Sequence, residues 1–97
     1  MSTYSVLANF TEQGIRNVKD TLKRAEAFKE AAGKFGVTVK DMYWTLGRYD
    51  LVVAVEAPDD PSVTALGLSL GALGNVRTQT LRGFGAGEMK QILDKMA

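Results

Sequence analysis

Tyr43-Trp44-Thr45-Leu46-Gly47-Arg48-Tyr49-Asp50-Leu51-Val52-Val53-Ala54-Val55-Glu56 sets apolar residues on both sides of a glycine turn. Leu51 to Val55 is apolar at every position, the pattern of a strand covered on both faces and therefore central in its sheet. The strand is predicted over Tyr49 to Glu56. Val37 to Leu46 predicts the strand before it, interrupted at Lys40-Asp41, where one extra residue would make a bulge. Gly47-Arg48 joins the two as a short turn.

Upstream, Tyr4, Val6, Ala8 and Phe10 alternate with Ser5, Leu7 and Asn9, which predicts a first strand. Thr11 then caps a helix, with Glu12 in its electropositive first turn. Ile15, Val18, Leu22, Ala25, Phe28, Ala32 and Phe35 recur at steps of three and four. They predict the apolar stripe of one long helix, ended by Gly33 and Gly36. Downstream, Pro58-Asp59-Asp60-Pro61 breaks the strand, with Asp60 expected as cap and Pro61 as first helical residue. Val63, Leu66, Leu70 and Leu73 line that second helix, and Gly74-Asn75 stops it. Val76 to Phe84 is the fourth predicted strand. Beyond Gly83, Gly85 and Gly87, the stripe Met89, Ile92, Leu93 and Met96 marks a short amphipathic helix.

Strand, helix, strand, strand, helix, strand is the α+β, ferredoxin-like βαββαβ order. Right-handed crossovers place two helices on one face of a four-stranded antiparallel sheet. The expected organisation is one domain over residues 1–84 and a C-terminal amphipathic helical tail over 85–97.

With 97 residues the chain has room for one domain, and 45% hydrophobic with 24% charged residues is ordinary for a globular one. There is no cysteine and no histidine. Disulfides, thiol nucleophiles, histidine-based metal sites and Ser-His pairs are therefore excluded, leaving carboxylates, lysine or tyrosine for any acid–base work. No metal and no cofactor is expected. A net charge of +1, and a first strand without Lys or Arg, argue against nucleic acid. No basic segment followed by an apolar stretch opens the chain, and Ala65 to Leu73 is too short to span a bilayer. A cytoplasmic protein with no membrane contact is the expectation.

Both alternation sets of the predicted sheet are apolar. One holds Val6, Phe10, Val37, Val39, Tyr43, Leu51, Val53 and Val55; the other holds Leu7, Met42, Trp44, Leu46, Val52, Ala54 and Leu81. Which set meets the helices depends on whether a bulge exchanges faces. A large side chain left in water forgoes about 1.5–3 kcal/mol. Five or six on an uncovered face sum to about 10 kcal/mol, comparable to a domain's whole stability. A homo-oligomer formed through the sheet face is expected, with self-cover by the terminal helix as the alternative.

The candidate ligand site is the turn. Arg48, Tyr49 and Asp50 carry groups that hold a small polar or anionic ligand, with Tyr43 and Trp44 as an apolar wall. A purely structural turn, with Asp50 bonded to nearby backbone amides, remains open beside it. Asn75 to Arg82 is a second polar stretch, in which Arg82 shares a face with Thr78 and Thr80 and opposes Arg77. Arg82 is a candidate anion contact; an edge strand kept soluble by charge is the plainer alternative.

Gly47-Arg48-Tyr49-Asp50 before an apolar strand, and Leu70 to Phe84 later, resemble the signature segments of GYD-domain proteins. The likeness runs from Tyr4 to Phe84. It implies a small bacterial protein of ferredoxin-like fold and unsettled activity. Two functions follow. One is an oligomeric ligand-binding or assembly module. The other is a small metal-free, cofactor-independent enzyme using Asp50 as base with Tyr43 or Tyr49 as proton donor, for which no catalytic residue is assigned.

Overall fold

The computed structural model describes residues 1–96. The strands are β1 (Ser2–Phe10), β2 (Thr38–Trp44), β3 (Leu51–Ala57) and β4 (Val76–Gly83). The helices are α1 (Glu12–Arg16), α2 (Thr21–Lys34), α3 (Asp60–Ala72) and α4 (Ala86–Asp94), with a 3-10 turn at Val18–Asp20. The four strands form one antiparallel sheet in the order β2-β3-β1-β4. That is a ferredoxin-like arrangement, with the apolar strand β3 central as its composition demands.

Tyr4, Val6, Val53, Val55 and Ala57 from the sheet form one buried cluster with Phe28 and Ala32 of α2 and Val63 and Leu66 of α3. Both α2 and α3 therefore pack on the sheet face that carries these residues. The bulge falls where Lys40-Asp41 interrupts the apolar pattern: Val39 pairs with Val55, and Asp41 with Ala54. One extra residue exchanges the faces of β2 part-way along. Val39, Met42 and Trp44 consequently share the helix-covered face with Val55, Val53 and Leu51, and Tyr43 shares the open face with Val52 and Leu7.

The single long helix expected from Ile15 to Phe35 is two helices. Asn17 ends α1, its side-chain amide donating to the Gln13 carbonyl at 3.0 Å, a local bond that competes with helical propagation. The first segment instead follows the α3–β4 loop: Thr11 N–H donates to the Asn75 carbonyl at 3.1 Å, and Gln13 Nε2 to the Asn75 side chain at 2.9 Å. Ile15 and Leu22, placed on the stripe by periodicity, are exposed as a result. Thr11 is the N-cap of α1, accepting from Gly14 N–H at 3.0 Å. For α3 the cap is Asp59, not Asp60. Its carboxylate accepts from Ser62 N–H at 2.9 Å, and hydrogen bonding from the Ser62 side chain and then its backbone holds its pKa below the usual aspartate value. Asp60 is thereby freed to accept a hydrogen bond from the Tyr4 hydroxyl. That bond, with burial, pushes the Tyr4 pKa above its ordinary value.

β3 starts at Leu51, so Tyr49 and Asp50 belong to the connection and not to the strand. Gly47 takes φ +111°, a conformation that side chains with a Cβ rarely adopt. Nothing lies near its vacant Cβ position, so the penalty for replacing it is conformational and not a clash. Gly47→Val is expected to lower stability by about 1–2 kcal/mol, and the melting temperature by about 4–16 °C, read by thermal unfolding.

The tail begins as α4 at Ala86, and Ala97 lies outside the described residues. Arg82 ties α4 to the sheet. Its guanidinium meets Glu88 at 2.9 Å and lies over the Tyr4 and Phe84 rings, 5.6 and 4.6 Å from their centroids. The Arg82 hydrogen bond holds the Glu88 pKa below its ordinary value. A depressed carboxylate contributes its stabilisation above the ordinary glutamate pKa and loses it as pH falls through the lowered value. Acidification through that window should release α4. Heteronuclear NOE values along α4 should fall there while the sheet stays ordered, and Glu88→Ala, which removes the acceptor, should mimic the release at neutral pH.

Candidate functional site

The chain enters the turn from β2 and must return antiparallel to it as β3, with β1 on the far side. Six residues, Thr45 to Asp50, separate the two strands. Thr45 N–H donates to the Asp50 carbonyl at 2.8 Å, and the Thr45 hydroxyl donates to the Tyr49 carbonyl. These bonds close the loop on itself. Leu46 at its tip is fully exposed.

Asp50 joins the loop to β1. Its N–H donates to the Ala8 carbonyl at 2.9 Å, and its carboxylate accepts from Phe10 N–H at 2.8 Å. The β1–β3 pairing ends at Ala8 and Leu51, so Phe10 has no strand partner on that side. The Asp50 side chain supplies the missing acceptor and extends the ladder beyond the end of β3. Among the described residues it forms no ion pair with Arg48, Arg77 or Arg82. The bond to a nearby backbone amide, left open by the sequence, is the arrangement observed.

Tyr49 lies half-buried at the turn end of the open face, its hydroxyl donating to Gln79 Oε1 on β4 at 3.0 Å. The ring must cross β1 to do so, because β1 separates β3 from β4. Arg48 sits 5.8 Å from the Tyr49 ring centroid, a cation–π distance. Tyr43 is 62% exposed on the same open face, in one row with Val52, Leu7 and Gln79.

The other two candidates lie elsewhere. Trp44 projects from the helix-covered face, where its indole N–H donates to the Thr21 hydroxyl at 3.0 Å at the start of α2. Tyr43 and Trp44 are adjacent in sequence, so a regular strand sends them to opposite faces, and they do not form one wall. Arg82 pairs in register with Tyr4, four residues from Thr78 opposite Ala8, which is about 13 Å along the strand. It faces the helices with Thr78 and Thr80, whereas Arg77 pairs with Asn9 on the open side. The structure thus keeps Arg48 with Tyr49, puts Tyr43 on the same open face, bonds Asp50 to the end of β1, and places Trp44 and Arg82 apart from them.

Asp60 was expected only as a cap, and neither its bond to Tyr4 nor that of Glu88 to Arg82 was visible in the sequence. Asp60 stands 56 residues from Tyr4, and only the β1–α3 packing joins them. Glu88 lies outside the apolar stripe of α4, and nothing near it in sequence points to Arg82.

The GYD domain model matches residues 4–93. A protein of Thermus thermophilus named "Glutamine synthetase and cystathionine beta-lyase binding protein" is 39% identical over 82 residues, covering 84% of this chain and 86% of that one. The crystal structure of TTHA0845 from the same organism superimposes with a TM-score of 0.58 at 28% identity, covering 89% of this chain and 96% of that one. The Gly47–Asp50 turn, the strand it opens and the match from Tyr4 onward have one explanation: the chain belongs to the GYD domain family.

Proposed function

We propose that this chain is a non-catalytic protein-binding module that assembles with itself through the open face of its sheet. The observation that carries the reading is that face. Tyr43 is 62% and Leu81 46% exposed there, beside half-buried Leu7, Val52 and Ala54. Neither α2 nor α3 reaches these residues, because both pack on the opposite side. Contiguous apolar surface of this kind is what subunit interfaces bury. The name of the Thermus relative, a binding protein for two enzymes, supports a role in holding another protein rather than in transforming a substrate.

The engagement of Asp50 by Phe10 N–H and of Tyr49 by Gln79 favours this reading over acid–base catalysis by those groups. Arg48, Tyr49 and Tyr43 form the rim of the proposed interface at its turn end.

The test is light scattering of the wild type and of Tyr43→Asp/Leu81→Asp. A wild-type mass that is a multiple of 10.5 kDa, reduced to 10.5 kDa in the double variant with circular dichroism unchanged, supports the reading. A wild type that is already a 10.5 kDa monomer at micromolar concentration overturns it. Sedimentation of the wild type with purified glutamine synthetase tests whether the relative's partner is shared.

A further inference from the structure

On the other side of the sheet, α2, α3 and the strands beneath them line a half-open cavity of about 270 Å³. Its floor is Val6, Ala8 and Val53, and its sides are Phe28 of α2 and Leu70 of α3. Its mouth is open to solvent, and wall atoms that face unfilled space forfeit the dispersion contacts an occupant would supply. Alanines keep the cavity open: Ala25 and Ala31 present only methyl groups to it from α2. An apolar void of about 150 Å³ already accommodates benzene. By proportion this one accepts about 10–12 non-hydrogen atoms, just below the volume of drug-sized pockets.

One charged group lines the cavity. Arg24 is half-buried, and a nitrogen of its guanidinium donates to the Asn17 carbonyl at 3.0 Å, which fixes the side chain in place. Among the described residues it has no carboxylate partner. A guanidinium carries five N–H donors in a planar fork suited to a carboxylate, so donors remain after the Asn17 bond. Thr21 and Thr78 add hydroxyls to the lining.

We propose that this cavity is a binding site for a small carboxylic acid with a compact apolar body, the body lying against Val6, Phe28 and Leu70 and the carboxylate paired with Arg24. The site is separate from the Gly47 turn and lies on the face opposite to the assembly surface. Its success or failure is therefore independent of the oligomeric state.

The probe is 4-phenylbutyrate, with 4-phenylbutyramide as its uncharged twin, titrated into the full chain and followed by amide chemical shifts. The acid should saturate with shifts centred on Val6, Ala25, Phe28 and Leu70, and the amide should bind at least tenfold more weakly. Arg24→Gln, which removes the charge and keeps a polar side chain, should reduce the acid to the affinity of the amide. Ala31→Phe, which fills the cavity, should abolish binding of both. Equal affinity for acid and amide, shifts confined to the open sheet face, or no saturation at millimolar acid each overturn the proposal.

Discussion

Gly14→Ala is expected to destabilise the protein by about 3 kcal/mol, near the upper end of what overpacking costs. Gly14 is buried in α1, and a Cβ built on it would lie 1.9 Å from the Asn75 carbonyl oxygen and 2.9 Å from its carbon. Both are backbone atoms, which no rotamer change can move aside. The neighbours are pinned as well. The same Asn75 oxygen accepts from Thr11 N–H at 3.1 Å, and the Thr11 hydroxyl donates to the Gly74 carbonyl. Relieving the clash means separating α1 from the α3–β4 loop and breaking those bonds, each worth about 1 kcal/mol. Thermal unfolding should show a melting temperature about 12–24 °C below wild type. Gly33→Ala is the control. Gly33 lies in α2 with nothing near its vacant Cβ position and no positive φ, so alanine there should stabilise by about 0.5–1 kcal/mol. A Gly14→Ala protein that melts with the wild type would show that α1 does not press on the loop as the structure has it.

Asp50→Ala is expected to lower stability by about 2 kcal/mol, and Asp50→Asn by less than about 1 kcal/mol. The difference comes from the Phe10 amide. With alanine, Phe10 N–H loses its acceptor at 2.8 Å at the end of the central strand β1, where β3 offers no replacement. With asparagine, the side-chain carbonyl occupies the place of the carboxylate oxygen and only the charge assistance is lost. Asp50 is half-buried, so water recovers part of the bond, which keeps the figure at the middle of its range. The melting temperature should fall by about 8–16 °C in Asp50→Ala. Amide exchange at Phe10 should rise selectively in that variant. Unchanged exchange at Phe10 would remove the ladder-extending role assigned to Asp50.

The contrast between these two residues shows where sequence reading reaches. Asp50 stood out because it follows Arg48 and Tyr49 in a turn that needs none of them, and an aspartate opening an apolar strand must find donors. Its importance was legible; its partner, 40 residues away, was not. Gly14 gave no signal, since a glycine near a helix start looks like an ordinary weak helix former. Its role arises from the approach of the α3–β4 loop, about 60 residues on.

The local pattern of residues was enough for the order of the strands, the central position of Leu51–Val55, the bulge at Lys40-Asp41, the Thr11 cap and the need for glycine at 47. Each depends on neighbours within a few positions: a period of two or four, a cap three residues before its donor, or a backbone angle that one residue must adopt. Only the tertiary structure decided that the open face carries Tyr43 while Trp44 meets α2, that Arg82 reaches Glu88 and not the turn, and that α2 and α3 leave a cavity over Val6 and Val53. The reason is sheet geometry. A one-residue bulge exchanges faces without changing the composition of the strand, and strand register places residues many positions apart side by side.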